Sequence, residues 1–266
     1  MAKHVFRACR SLLCQRNDCS FGQSACMSES FDWTRYSDDP NNEQARSDAL
    51  PWLLSRRHIH LTRDLLDYVC DRARDKRVLD IGVVSHSAST FDDPGWRHAR
   101  IRQVAAQCVG VDILEPLVRE LNQRGYDVRV VDATSDADLG ERFEIVFIGD
   151  TIEHVDNPVA LLRFAGRHLT PEGRVLVTTP NAFSRKFYRR FRRLGTPIVN
   201  LDHCGWFTPT TALELGRRAG IDFVAYHLAK RYTPFARWRH RIAWRFSPVE
   251  FAFPDYIFEF ARQSEN

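Results

Sequence analysis

Val78-Leu79-Asp80-Ile81-Gly82 is the stretch on which the fold turns. A short apolar run ends in an acid and a glycine, as a buried parallel strand does where it meets a tight turn. The same theme repeats downstream. Cys108-Val109-Gly110-Val111-Asp112 is a second strand, Val128-Arg129-Val130-Val131-Asp132 a third and Phe143-Glu144-Ile145-Val146-Phe147-Ile148 a fourth. Arg174 to Thr179 gives a fifth, and Phe223–Tyr226 and Tyr256–Phe260 complete seven. Helical periodicity falls between them, at about 96–106, 114–124, 158–168 and 209–219. Apolar strands alternating with helices predict an α/β, doubly wound, Rossmann-like sheet of seven strands with helices on both faces. The sheet is expected to be mostly parallel with an antiparallel last strand.

Upstream, apolar residues from Leu53 to Val69 fall near helical spacing and predict one helix over about 50–70. Residues 1–48 are rich in Ser, Asp, Asn and Gln and read as tail and linker, with a break at Asp38-Asp39-Pro40. The only methionines are Met1 and Met27, so translation from Met27 competes with a disordered tail over 1–26. The folded domain is expected over 49–266. The chain carries seven cysteines, and Cys9, Cys14, Cys19 and Cys26 lack the paired spacing of zinc sites. No apolar run reaches the roughly 18–20 residues that cross a bilayer, and the N-terminus lacks a signal-peptide pattern. A cytoplasmic protein, able to rest on a membrane surface, is the expectation.

Ligands of doubly wound sheets bind beyond the carboxyl ends of the strands, at the topological switch point. Here those ends carry Asp80, Gly82, Asp112, Asp132 and Asp150. An acid after the second strand is placed to accept both hydrogen bonds of a ribose diol. For a single Asp, capping of the next helix explains as much; the ordered series points to a polar ligand.

The segments Val78–Gly82, Val109–Asp112, Ile152-Glu153-His154, Leu169–Asn181 and Asp202-His203-Cys204-Gly205-Trp206-Phe207-Thr208-Pro209 stand in this order over about 75–228. Together they resemble class I S-adenosylmethionine-dependent methyltransferases, nearest the small-molecule branch of ubiquinone-pathway O-methyltransferases. The resemblance implies S-adenosylmethionine as cofactor and a small-molecule acceptor, a sugar or a lipid-linked intermediate among them. It implies that Asp80 and Gly82 lie against the methionine part, Asp112 on the ribose and Asp132 at the adenine edge, with the backbone near Asp150 facing the sulfonium. The glycine loop departs from the family: Asp80-Ile81-Gly82-Val83-Val84-Ser85-His86 keeps only its first glycine, and His86 joins the expected cofactor contacts. That departure keeps open a non-catalytic binding module on the same fold. A nucleotide-dependent oxidoreductase is the third reading, disfavoured because no G-x-G-x-x-G follows the first strand.

Asp150, Glu153 and His154 form D-x-x-E-H, which on a helix share one face. The resemblance brings His203 back to the same cleft. Two carboxylates and two imidazoles suit Mg²⁺ or a similar ion. Without metal, His154 and His203 are the general-base candidates.

Two basic aromatic stretches, about 183–200 and 230–252, read as insertions after core strands. Phe183, Phe187 and Phe191 recur every fourth residue among Arg and Lys; Trp238, Ile242 and Phe246 repeat the pattern. Such helices pack an apolar stripe on the domain, or meet an anionic membrane surface or a phosphorylated or lipid-linked substrate. Nucleic acid is a further, weaker partner class.

Overall fold

The structure, a computed structural model, describes residues 30–84, 87–196 and 198–263. One sheet of eight strands organises it: β1 (Arg57–His60), β2 (Arg77–Ile81), β3 (Gln107–Asp112), β4 (Val128–Val130), β5 (Phe143–Gly149), β6 (Leu169–Pro180), β7 (Ile221–Ala229) and β8 (Asp255–Arg262). Their spatial order is β1-β7-β8-β6-β5-β2-β3-β4. Only β8 runs against its neighbours, β6 and β7, as expected of the last strand. The apolar runs explain the centre. Val78, Leu79, Val146, Phe147, Val175 and Leu176 are all fully buried because helices cover both faces.

The helices are α1 (Glu43–Ser55), α2 (Leu65–Ala73), α3 (Arg97–Arg102), α4 (Glu115–Gln123), α5 (Pro158–Arg167), α6 (Arg185–Leu194), α7 (Pro209–Ala219) and α8 (Pro234–Ala243). Side-chain caps fix several starts: Asn42, Asp64, Asn157, Ser184, Thr208 and Thr233 each accept from a backbone N–H of the first turn. The two basic insertions are α6 and α8.

Two expectations are corrected. The single helix over 50–70 is α1, the strand β1 and α2. β1 pairs in parallel with β7, Arg57 opposite Tyr226, and makes the eighth strand. Four residues are too few to show a period of two, and only the waiting edge of β7 makes them a strand. Residues 30–48 are not linker either. Phe31 packs on Trp52, the Trp33 indole donates to Glu214 at 2.9 Å, and α1 begins at Glu43. The remaining tail, including Met27 and the four early cysteines, lies outside the described residues. Among the described residues no helix is long and apolar enough to cross a membrane.

On the β7–β8 side the core holds a charged knot. Glu259, 5 % exposed, accepts from Arg72 at 2.7 and 3.0 Å and from His227 Nε2 at 3.0 Å. Burial pushes the Glu259 carboxyl up, but His227 and Arg72 outweigh it and hold the pKa at about 2. Glu259→Gln is expected to cost about 3 kcal/mol by removing the negative charge and one of the two acceptor oxygens that Arg72 and His227 share, measured by urea unfolding at pH 7. Because the folded pKa is depressed, the wild-type contribution is complete above the usual carboxylate range. It fades as pH falls toward 2, so the gap between variant and wild type should close in acid.

Candidate active site

The chain runs from β2 outward through β3 and β4, then returns to place β5 on the other flank of β2. That reversal opens a crevice at the strand ends. A cleft of about 560 Å³ occupies it, lined by Gly82, Val84, Asp112, Asp132, Asp150 and Thr151, with Glu153, His154 and His203 at one side.

Gly82 ends β2 with φ +74°, and its N–H donates to Val111 O at 2.9 Å. A Cβ there would overlap the Thr151 hydroxyl and lie 2.9 Å from Thr151 Cγ2. Glycine is required twice, for the left-handed turn and for the close approach of the chain after β5. The loop tolerates its lost glycines by turning the next side chain inward. Val83 is buried against Phe91, Trp96 and Val118, and Val84 keeps its N–H on the cleft side. His86 lies outside the described residues.

Asp112 ends β3 and is 8 % exposed. Its Oδ2 accepts from Val84 N–H at 2.9 Å and its Oδ1 from Leu114 N–H at 3.0 Å. Burial raises its pKa while those amides pull the other way. The carboxylate is thus fixed in orientation, with lone pairs left for a ligand diol. Asp132 stands exposed two residues beyond β4. It accepts from the Thr134 hydroxyl at 2.7 Å and backbone at 2.8 Å, which lower its pKa.

Asp80 is placed differently from the expectation. Its carboxylate is 3 % exposed and takes the Nδ1–H of His98 at 2.8 Å, and it does not line the cleft. In a strand of period two, Asp80 and Ile81 point to opposite faces, and His98 on α3 occupies the face Asp80 points to.

D-x-x-E-H does not form a helix face. Asp150 has φ +45°, and residues Ile152–His154 make one 3₁₀ turn. Asp150 is drawn aside: Arg97 holds its Oδ2 at 2.5 Å and the Thr178 hydroxyl donates to its Oδ1 at 3.1 Å. So of the four expected metal ligands, Glu153, His154 and His203 converge, with candidate donor atoms all within 4.8 Å of one another, and Asp150 stands outside that group. The Glu153 backbone carbonyl accepts from Cys204 N–H at 2.7 Å, which brings the Asp202–Trp206 segment over the cleft. His154 and His203 meet edge to face at 4.5 Å, and Asp202 lies 3.0 Å from His154 Nδ1. Glu153 is 1 % exposed. Burial, with Asp150 nearby, pushes its pKa up to about 7 although the Thr179 hydroxyl donates to its Oε2. Its Oε1 and His203 Nδ1 are buried without a hydrogen-bond partner. Burial, then His154, lowers the His203 pKa, which favours the neutral ring.

The cleft at the switch point, with an amide-bound acid after β3, has the geometry and the acceptor that suit a ligand diol. A family model described as a methyltransferase domain matches residues 53–226, more than half of the chain. The chain belongs to the class I S-adenosylmethionine-dependent methyltransferases. Among curated relatives, the ubiquinone biosynthesis O-methyltransferase of Ruegeria pomeroyi is 26 % identical over 159 residues, 55 % of this chain and 60 % of that protein. The protein of the same name from Aeromonas salmonicida is 23 % identical over 62 % of this chain and 73 % of its own. The chain thus spans about three fifths of the Ruegeria protein's length. Among solved structures, the CcbJ methyltransferase from Streptomyces caelestis superposes with a TM-score of 0.51 at 13 % identity, covering 75 % of this chain and 88 % of that one. The [4+2]-cyclase SpnF gives 0.50 at 20 % identity, covering 76 % and 80 %. Both share the fold, and one carries a different reaction in its name, so the fold alone does not fix the chemistry.

Sequence reasoning missed Arg97, which neutralises Asp150, and Thr151, which shapes the turn against Gly82. Neither stands in a motif; both act through long-range contacts that spacing does not encode. Gly82→Ala should lower stability by about 1–3 kcal/mol through backbone strain and overlap with Thr151, read from thermal and urea unfolding, and weaken S-adenosylhomocysteine binding at least tenfold.

Proposed function

We propose that the chain transfers a methyl group from S-adenosylmethionine to an oxygen of a small-molecule acceptor, a sugar or lipid-linked intermediate being the class considered. The observation that carries this reading is the Asp112 carboxylate, held by two backbone amides at the mouth of β3 in a family that uses this cofactor. The curated relatives are named for O-methylation. An apolar groove of about 460 Å³ beside the cleft supports an acceptor with an apolar portion. Phe183, Phe187, Phe191 and Trp206 line it, and Trp206 stands 6.3 Å from the His203 ring.

Bound S-adenosylmethionine supplies a methyl already activated by its sulfonium. The protein's part is then alignment and proton removal. In this reading Asp112 fixes the ribose, Asp132 the adenine edge, and the Gly82 turn lets the backbone approach the methionine portion. His203, in its neutral form and at the acceptor side, takes the hydroxyl proton as the oxygen attacks, with His154 oriented beside it by Asp202.

The donor set also fits a divalent cation. The orphaned Glu153 Oε1 and His203 Nδ1, with His154, are nitrogen and oxygen donors within one ion's reach. A cation held by Glu153, His154 and His203 would supply a lowered hydroxyl pKa in the acceptor.

Calorimetric titration with S-adenosylmethionine and S-adenosylhomocysteine tests the cofactor assignment. Saturable binding is expected, lost in Asp112→Ala; its absence from folded protein sinks the reading. His203→Ala and His154→Ala should keep S-adenosylhomocysteine affinity within about twofold while kcat on an identified acceptor drops about 10²–10⁴-fold. Glu153→Gln separates the two versions of the site. If Mg²⁺ or Mn²⁺ binds, seen by calorimetry on the wild type, this variant abolishes it.

A further inference from the structure

A second cavity, about 680 Å³, lies between α6 and α8 and belongs to no part of the reading above. Arg185, Lys186, Arg189, Lys230, Arg239 and His240 surround it; among the described residues no carboxylate lines it, and Asp255, next to the lining Pro254, is the acid whose charge Lys186 and Lys230 feel. Its floor is aromatic. Tyr232 meets His240 with the rings tilted and their centroids 4.4 Å apart and fixes its own hydroxyl on Ala252 O at 2.8 Å, with Trp244 and Phe251 beside them. The Arg185 guanidinium lies over the Phe251 ring at 5.9 Å and the Lys230 ammonium over the Tyr232 ring at 5.2 Å, so the aromatic floor itself positions two of the charged heads at the cavity.

On α8 the lining residues Ala236, Arg239, His240 and Ala243 follow helical spacing, and Arg237 and Arg241 on the same helix do not line it. The inward cations are therefore a selected face and not an even coat. Gathering five positive groups around one concavity, with Asp255 answering Lys186 and Lys230 from behind its wall, leaves an excess of positive charge that is unfavourable to the empty fold. The environment of His240 registers the crowding: burial lowers its pKa, and then Lys230, Arg185 and Arg239 lower it further.

The cavity backs onto the cofactor cleft. Pro180 lines that cleft and pairs in register with Asp255, while the adjoining Pro254 lines the cationic cavity and accepts from Asn181 N–H at 2.7 Å. A ligand in one is thus a strand's width from a ligand in the other. The volume is that of a small-molecule subsite, and guanidinium forks match phosphoryl oxygens in pairs.

We propose that this cavity is a subsite for a phosphate or diphosphate group carried by the methyl acceptor. The word acceptor rests on the methyl-transfer reading; the anion rests on the cavity alone.

Inorganic pyrophosphate is the probe, titrated calorimetrically into the full chain, with S-adenosylhomocysteine titrated in parallel. One saturable site is expected. Arg185→Ala/Arg239→Ala should weaken it at least tenfold, whereas Arg237→Ala/Arg241→Ala, which removes equal charge from outside the cavity, should change it less than threefold. Both pairs should retain S-adenosylhomocysteine affinity. Should the first pair fail to fold by circular dichroism, Arg185→Lys/Arg239→Lys keeps the charge and should still weaken pyrophosphate binding by loss of the paired contacts. Equal losses in the two alanine pairs would mean a diffuse field and overturn the proposal. So would the absence of pyrophosphate binding in protein that binds S-adenosylhomocysteine. Binding to phosphatidylglycerol vesicles without binding of free pyrophosphate would also overturn it, in favour of a lipid surface. Pyrophosphate bound with no S-adenosylhomocysteine bound would leave the anion site standing and remove the methyl-transfer reading.

Discussion

The Asp112 carboxylate is the contact on which the cleft depends. It sits at the end of β3, largely out of water, and accepts one amide from the loop after β2 and one from the turn into α4. A buried carboxylate without donors is costly, so those two N–H groups stabilise the charge and, in the same act, join two strand ends. The loop after β2 has lost the glycines its family uses, yet the Val84 amide still reaches Asp112. Val83 packs in the core, and this holds the loop where its next amide meets the carboxylate.

Paired and unpaired charge divide the molecule. Around Glu259 the buried groups answer one another, with Arg72 and His227 on the same carboxylate. Such a knot stabilises geometry and has nothing left to offer a ligand. Beside the cleft the opposite holds. Glu153 has one oxygen on Thr179 and one with no partner, and its raised pKa reports poor solvation. The α6–α8 cavity is lined by more cations than the neighbouring Asp255 answers. Uncompensated polar groups in concave places cost stability, and ligand binding is the chemistry that offsets that cost.

The helices α6 and α8 show how a pattern can be read correctly yet incompletely. Phe187 and Phe191 on α6 and Phe183 just before its cap do line one groove. Phe187 packs edge to face on Trp206 at 5.0 Å, while Phe183 and Phe191 remain 64 % and 46 % exposed. Packing and exposure are thus divided along a single groove, and the division follows from where the Asp202–Trp206 segment lands. On α8, Phe235 and Trp238 are exposed, as is Phe246 in the turn beyond it, and cations on another face of the helix line the cavity.

By itself the sequence determined the sheet and its ligand-bearing ends. Apolar runs of strand length, each closed by Asp or Gly, report burial on both faces and a turn beyond, and both are local properties. It therefore specified β2 to β8 and placed Gly82, Asp112 and Asp132 at the cleft. Tertiary structure decided what depends on a partner far along the chain. β1 exists because β7 offers an open edge. Asp80 faces His98 and not the ligand because α3 packs on that side of β2. Asp150 leaves the company of Glu153, His154 and His203 because Arg97, 53 residues upstream, holds it at 2.5 Å in an ion pair that no local spacing announces.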